Sequence, residues 1–353
     1  MKPVYVYPGT FSPPTFGHLG IVRQAAAIFP ELIILCSKNP NKNEAWFTPE
    51  ECKALWQSYP LPKNVRVMTQ AELKSLALKK SGLILVRGLR SLDDMEAEKE
   101  MMLFNKNHFG IKKYFFIFSA KNKKNVSSSR ARQEATNLNL RNLSRQVSPL
   151  VISALLEKVL RAKNIFLIVG RPGSGKSTFL KMISQLSPNN YWINTDDFNQ
   201  QLKALLKEKF GDEDLIKVAL KNEAEMKKVI ARPWISLLEK SLKSIPAQSN
   251  IFIEAAYGLQ ADKLLFRFVG GKIIYVGCGD EEKNLRRVNE RGTPQLAEFI
   301  KKIPGREETA RMTKKYKLET NYINTDCSLP VLRKKTKIFN NLISGGQKNV
   351  YDL

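Results

Sequence analysis

Tyr7-Pro-Gly-Thr-Phe-Ser-Pro-Pro-Thr-Phe-Gly-His18 is the stretch that decides how the first half of the chain folds. The apolar run Val4 to Tyr7 leads into it, Gly9 follows at once, and Gly17-His18 opens a helical pattern. A glycine directly after a strand lets the backbone turn closely past an anion, and the amino end of a helix carries partial positive charge. The stretch therefore predicts a strand, a phosphate-handling loop and a helix. A second stretch of the same logic, Gly170-Arg-Pro-Gly-Ser-Gly-Lys-Ser177, follows the apolar run Ile165 to Val169 and precedes the helical Thr178-Phe-Leu-Lys-Met182.

Outward from the first loop, short apolar runs at Leu32 to Cys36, Val65 to Met68, Leu83 to Val86 and Tyr114 to Phe118 alternate with amphipathic stretches. Strand, crossover helix, strand in succession predicts a parallel sheet covered on both faces, with ligands at the carboxyl ends of its strands. Ser148 to Lys163 reads as a closing helix, with Ser148 as N-cap and Pro149 in the first turn. The strand Ile165 to Val169 then starts a second α/β unit, to which Lys272 to Val276 adds a further strand. The expected organisation is two parallel-sheet α/β domains, 1–162 and 163–332, with a basic C-terminal helix or tail at 333–353 carrying Arg333, Lys334, Lys335 and Lys337. No internal repeat is apparent.

A chain of 353 residues, 43% of them hydrophobic, can fill two cores. Its net charge of +25 exceeds what two nucleotide sites require. Anionic substrates account for a share; loose association with nucleic acid or anionic membrane is one source of the rest, and a lysine-rich solvated surface is another. No specific nucleic-acid or membrane partner is expected, because no aromatic-interleaved basic stripe is visible. No apolar run approaches the roughly 20 residues of a membrane span, and nothing resembles a signal peptide. Cys36, Cys52, Cys278 and Cys327 form no paired CxxC spacing, which fits a reducing cytoplasm better than a disulfide framework or a zinc site. With His18 and His108 alone, mechanisms that need several histidines are excluded.

At the first loop, Gly9 and Gly17 would admit an anion, His18 can donate to an α-phosphate oxygen as charge builds up, and Thr10 can orient an attacking phosphate. Arg87-Gly-Leu-Arg90 follows the Leu83 to Val86 strand and so reaches the same sheet edge, where two guanidinium forks could hold separate phosphates. Glu98 could accept from a ribose hydroxyl or simply be solvated. Ser127-Ser128-Ser129 begins a helix, where hydroxyls and free amides bind phosphate.

These residues carry a family likeness. Gly-Thr-Phe-x-Pro-x-Thr-x-Gly-His, then Asn39-Pro40-x-Lys42, then Arg-Gly-Leu-Arg with Asp94-x-Glu96-x-Glu98, then Ser-Ser-Ser-x-x-Arg132, resembles phosphopantetheine adenylyltransferase over about the first 160 residues. Thr15-Phe-Gly-His18 stands where nicotinamide mononucleotide and glycerol-phosphate transferases usually show His-x-Gly-His. The resemblance implies a Rossmann-like nucleotidyltransferase fold and in-line attack by the phosphate of 4′-phosphopantetheine on the α-phosphate of ATP, giving dephospho-coenzyme A and pyrophosphate. It implies that His18 and Lys42 stabilise the transferring phosphate, that Thr10 and Arg87 hold the phosphopantetheine phosphate, and that Asn105 contacts the pantetheine arm. Arg90, Glu98 and Ser127 to Ser129 would hold ATP. It further implies a homo-oligomer built through the first domain. Ser12 departs from the family's Asp, and two extra residues separate Lys42 from Phe47-Thr48.

In the second loop, Gly170, Gly173 and Gly175 free the backbone to cradle phosphates, Lys176 bridges β- and γ-oxygens, and Ser177, beside Thr178, would ligate Mg2+. A base for an acceptor hydroxyl is sought in Ile193-Asn-Thr-Asp196-Asp197: Asp196 is the choice and Asp197 the alternative, with helix capping as the plain structural role. Arg286-Arg287 and Arg291 lie on a probable helix, as lid arginines or as a solvated face. This half resembles dephospho-coenzyme A kinase, through the P-loop, Asn194-Thr-Asp196, Arg287-x-x-x-Arg291, Pro304-Gly-Arg306-Glu307 and Tyr322-Ile-Asn324. That likeness implies a P-loop kinase fold, Asp196 as the base for a ribose 3′-hydroxyl, and Arg287 or Arg291 with Arg306 on ATP. Arg232-Pro233 and Ile253-Glu254-Ala-Ala-Tyr257 depart from its pattern. The combined expectation is an enzyme making coenzyme A from 4′-phosphopantetheine and ATP. The alternatives are a kinase for another small molecule, of nucleoside or ribosylnicotinamide type, and a nucleotide sensor without turnover.

Overall fold

A computed structural model describes residues 3–38, 45–75, 82–89, 94–119, 125–254, 261–277, 281–290 and 320–345. The chain divides into two compact units, Met1–Glu134 with Asn142–Val151, and Ala135–Arg141 with Ile152–Leu353. No described helix is long and apolar enough to cross a membrane.

The first unit is a five-stranded parallel sheet. Its strands are β1 (Val4–Gly9), β2 (Leu32–Cys36), β3 (Val65–Thr69), β4 (Leu83–Leu89) and β5 (Lys113–Phe118), in the order β3-β2-β1-β4-β5. The crossovers carry α1 (Phe16–Ile28), α2 (Pro49–Trp56), α3 (Gln70–Ser75) and α4 (Asp94–Phe109). Strand β2 shows why the sheet lies in the middle: Leu32, Ile33, Ile34 and Cys36 are all buried, so neither face can meet water. The order reverses between β1 and β4, and that switch point opens a crevice at their carboxyl ends. Gly88 lets α1 lie directly on β4, since a Cβ there would come within 2.8 Å of Ile21. After β5 come α5 (Ser128–Thr136), α6 (Leu140–Leu143) and α7 (Pro149–Leu160).

The second unit holds β6 (Asn164–Val169), β7 (Asn190–Asn194), β8 (Asn250–Glu254), β9 (Lys272–Gly277) and β10 (Thr320–Asn324), parallel throughout, in the order β10-β9-β6-β8-β7. Its helices are α8 (Lys176–Leu186), α9 (Asp196–Phe210), α10 (Leu215–Lys243), α11 (Ala261–Phe268), α12 (Glu281–Asn289) and α13 (Leu329–Ser344). At the amino ends of the strands an asparagine chain fixes register. Asn164 donates to Asn250 (2.9 Å), Asn250 to Asn190 (3.0 Å) and Asn190 to Asn340 on α13 (2.7 Å).

Of the basic helix or tail expected from residue 333, the described part is a helix, α13. Leu332, Thr336, Phe339 and Ile343 fall on one helical face and are buried, in a core shared with Phe166, Phe179 and Ile323. Arg333, Lys334 and Lys337 are exposed. Residues 346–353 lie outside the described residues.

Candidate active sites

The first loop is held residue by residue from distant elements. Ser12 Oγ accepts from Phe47 N–H (3.0 Å) and Ser12 O from Arg132 (2.6 Å). Pro13 O accepts from Ser128 Oγ (2.8 Å), and Pro14 O from the hydroxyl of buried Tyr59 (2.8 Å). Ser12, where the resemblance expects Asp, thus anchors the segment entering α2. Cys52 donates to Thr10 O (3.3 Å), and burial raises its thiol, as it pushes Cys36 up to about 12, so both are structural.

The loop ends in Thr15, the buried N-cap of α1, which forms a capping box with His18. Thr15 N–H donates to His18 Nδ1 at 3.1 Å. A backbone N–H can only donate, so Nδ1 is the unprotonated nitrogen and Nε2 carries the hydrogen. The imidazole packs edge-on against Phe11 (5.1 Å between centroids), which fixes its plane. His18 therefore presents a fixed N–H donor beside the amino end of α1. Gly17 brings a second helix start to the same place: a Cβ there would lie 2.9 Å from Val126 O, just before α5.

Of the three serines, Ser127 caps α5 by accepting from Arg130 N–H (3.2 Å), Ser128 ties down the loop, and Ser129 accepts from Arg132 (3.4 Å). Arg87 does not follow its strand as the sequence suggested. β4 runs on to Leu89, and Arg87 pairs with Phe116 inside the sheet. The reason is that the apolar alternation continues through Leu89, which is fully buried. From there Arg87 forms a two-bond fork with Glu98 (2.7 and 2.6 Å) and donates to Pro8 O (3.3 Å), next to Gly9. Burial works against the charge on Arg87, but the Glu98 carboxylate outweighs it and holds the guanidinium above its ordinary value. Asn105, half-buried, lies two turns beyond Glu98 on the same face of α4. Gly9, Thr10, Gly17, His18, Arg87, Glu98 and Ser127 to Ser129 thus come from β1 and the loop after it, β4, α4 and the starts of α1 and α5 at one switch point. Lys42 and Arg90 lie outside the described residues.

In the second unit, Gly170, Gly173 and Gly175 have φ of +152°, +77° and +89°. A Cβ on Gly170 would sit 2.1 Å from Val276 O, so only glycine fits. Lys176, buried in the first turn of α8, donates to Gly170 O (2.8 Å) and Arg171 O (3.1 Å), closing the loop around its ammonium. Arg287 on α12 donates to Gly173 O (3.4 Å). Thr178 is half-buried on α8. Arg291 and Arg306 lie outside the described residues.

Asp196 and Asp197 open α9 and are distinguished by their neighbours. Asp197 accepts from Asn194 (3.4 Å). Desolvation raises the Asp196 carboxyl, Lys176 pulls it back, and Asp197 adds to the rise. Asp196 is therefore the one of the two that is coupled to Lys176.

Sequence reasoning missed Glu254, which it read only as a departure from a family pattern. Glu254 closes β8, the strand next to β6, and is buried (4% exposed). Its Oε1 accepts from Ser177 Oγ at 3.2 Å, and its Oε2 has no hydrogen-bond partner among the described residues. Burial pushes its carboxyl up, with Lys176 opposing, Asp196 adding, and the Ser177 bond and the nearby Trp192 indole N–H offsetting a part. The available signal was an acid closing the apolar run Ile251-Phe-Ile253. Among the described residues no group of three His, Cys, Asp or Glu forms a metal cluster.

A parallel sheet with two helix starts and a fixed histidine donor at its switch point is the architecture of a nucleotidyltransferase, and residues 6–134 match the Cytidylyltransferase-like family. A phosphopantetheine adenylyltransferase of Thermotoga neapolitana is 35% identical over 161 residues, which make up 45% of this chain and 99% of that protein. One of Synechococcus sp. (strain JA-3-3Ab) is 37% identical over 134 residues, 37% of this chain and 84% of that protein. The chain belongs to the phosphopantetheine adenylyltransferase family. A solved NadR protein in complex with NR is matched over 98% of this chain and 88% of that one, at 12% identity and a TM-score of 0.33, a likeness too slight to bear on either site.

Proposed function

We propose that the chain transfers AMP from ATP to 4′-phosphopantetheine and then phosphorylates the resulting dephospho-coenzyme A with a second ATP. The observation that carries the first step is the fixed tautomer of His18. A neutral imidazole held by Thr15 N–H keeps its Nε2 hydrogen in place for an oxygen of the α-phosphate as negative charge grows there. The acceptor phosphate attacks phosphorus, the bond to the bridging oxygen breaks, and pyrophosphate leaves. Arg87 is the cation for the acceptor phosphate and is pre-oriented by Glu98; Lys42 and Arg90 neutralise the remaining charge.

For the second step Asp196 takes the proton of the ribose 3′-hydroxyl as its oxygen attacks the γ-phosphorus of ATP, and ADP leaves. The residues fit Mg2+: the Ser177 hydroxyl and the half-satisfied Glu254 carboxylate are hard oxygen donors side by side. When bound, Mg2+ would neutralise charge between the β- and γ-phosphates. A second reading, a kinase for a different small-molecule hydroxyl, is favoured by Glu254 itself, which stands where the kinase resemblance expects an apolar segment. Mass spectrometry of products from the full chain with ATP, magnesium and 4′-phosphopantetheine separates them. Coenzyme A is the expected product; accumulated dephospho-coenzyme A would leave the first step standing and favour the other acceptor.

A further inference from the structure

The tetrapeptide Ile-Asn-Thr-Asp occurs twice, at 193–196 and at 323–326, a short repeat that the sequence reading passed over. The two copies end β7 and β10, the opposite edge strands of the same sheet. Each aligns its asparagine with the last residue of the strand inside it, Asn194 with Glu254 and Asn324 with Gly277. Asp196 N–H donates to Asn194 Oδ1 (3.1 Å), and Asp326 N–H to Asn324 Oδ1 (2.8 Å). Both threonines are buried, and each reaches inward to the terminal carbonyl of the neighbouring strand: Thr195 Oγ1 to Glu254 O (2.6 Å) and Thr325 Oγ1 to Gly277 O (3.3 Å).

The copies differ in what they hold. Thr325 Oγ1 makes its shorter contact, 2.6 Å, with Ser174 O, inside the phosphate-binding loop. Its methyl and Cβ fill the space beside Gly175, where an added Cβ would meet them at 3.2 and 3.3 Å. Ser174 C=O and Gly175 N–H belong to one planar trans peptide and point in opposite directions. A bond that anchors the carbonyl therefore aims the amide, one of those lining the loop. Thr195 instead anchors the backbone of Glu254, whose side chain reaches Ser177.

We propose that the two turns are paired positioning devices: Thr325 sets the phosphate-binding loop, and Thr195 sets the Glu254 carboxylate against Ser177. Neither threonine need touch substrate. The inference rests on reading 170–177 as a nucleotide-binding loop.

The test is calorimetric titration of the full chain with ATP, with and without magnesium. The second-site signal is defined as the part that Lys176→Ala removes. Thr325→Val, isosteric but without the hydroxyl, should weaken that part about tenfold with or without magnesium, the size of one lost buried hydrogen bond. Thr325→Ser should restore it to within about twofold. Thr195→Val should leave metal-free ATP binding unchanged and raise the magnesium concentration for half-maximal effect by about tenfold. If Thr325→Val does not fold, Thr325→Ala against Thr325→Ser makes the same contrast. Wild-type ATP affinity in Thr325→Val or Thr325→Ala would overturn the inference, as would identical effects from both threonines. A Lys176→Ala protein that loses no ATP binding would overturn the nucleotide-loop reading and the inference with it.

Discussion

The loop before α1 and the loop before α8 each lead from an interior strand of a parallel sheet into a helix, but they lean on side-chain ties and on glycines in different proportions. Residues 12 to 14 are pinned by side chains from far along the chain, Tyr59, Ser128 and Arg132, and by the backbone of Phe47. The loop at 170–175 is shaped first by three glycines with positive φ; Lys176 closes on its carbonyls, and Thr325 and Arg287 each reach one carbonyl from a distance. A side-chain lock requires a particular partner at every point; a glycine lock requires only that nothing protrude. The first site should therefore fail chiefly through loss of partners, and the second through gain of atoms as well as through loss of its few ties.

The strongest way to break the comparison is to remove the central group of each site. His18→Ala should cut pyrophosphate release with 4′-phosphopantetheine by about 10²–10³-fold and leave phosphorylation of supplied dephospho-coenzyme A intact; Lys176→Ala should do the reverse. Loss of both activities from either change, in folded protein, would refute two independent sites. The glycines come next. Gly170→Ala places a Cβ 2.1 Å from Val276 O on a backbone at φ +152°, and should cost about 3 kcal/mol or more. Gly17→Ala meets Val126 O at 2.9 Å with no unusual φ, and should cost about 1 kcal/mol. Chemical denaturation of both variants checks the order.

That contrast also explains what could be read from the sequence. Both strand-loop-helix junctions were legible because their glycines and flanking apolar runs are local. The strands of both sheets that the sequence marked out are present; β3, β5, β6 and β9 are one residue longer than expected, and β1 and β4 run further, to Gly9 and Leu89. The sheet orders, and with them the switch point between β1 and β4, lay beyond local pattern. So did the tie between Ser128 and Pro13, 115 residues apart. Glu254 escaped for a different reason. An acid closing an apolar strand is unremarkable until β8 is known to lie against β6, which puts it beside Ser177. Asp196 is the choice over Asp197 on sequence alone; what the sequence could not show is that Asn194 engages the latter.

Glu98→Gln sharpens the side-chain half of the comparison. It keeps the shape but removes the charge that forks Arg87, at side-chain exposures of 22% and 14% where salt screens weakly. A loss of about 1–2 kcal/mol is expected, read as faster hydrogen exchange in peptides covering 82–89 and 94–109. ATP binding at the second site should not move. Unchanged exchange would mean that the fork holds nothing in place.

The smallest effect is expected at Glu254, and its sign is diagnostic. Burial raises this carboxyl above its ordinary value of 4.5, so between that value and the raised one the folded protein binds more protons than the unfolded chain. Stability contributed by this group is therefore lost as pH rises through that window, the opposite of a salt-bridged carboxylate. Glu254→Gln, neutral throughout, should be more stable than wild type at pH 8 by on the order of 1 kcal/mol, and the difference should vanish toward pH 4. Thermal melts of the two proteins across that range test it. On the proposed reading the order at pH 8 should invert with magnesium and ATP present, because the Glu254 charge that burdens the fold would then be offset by the cation. A variant that is less stable at pH 8 without ligands would show that the charged Glu254 is held by the fold and not merely tolerated by it.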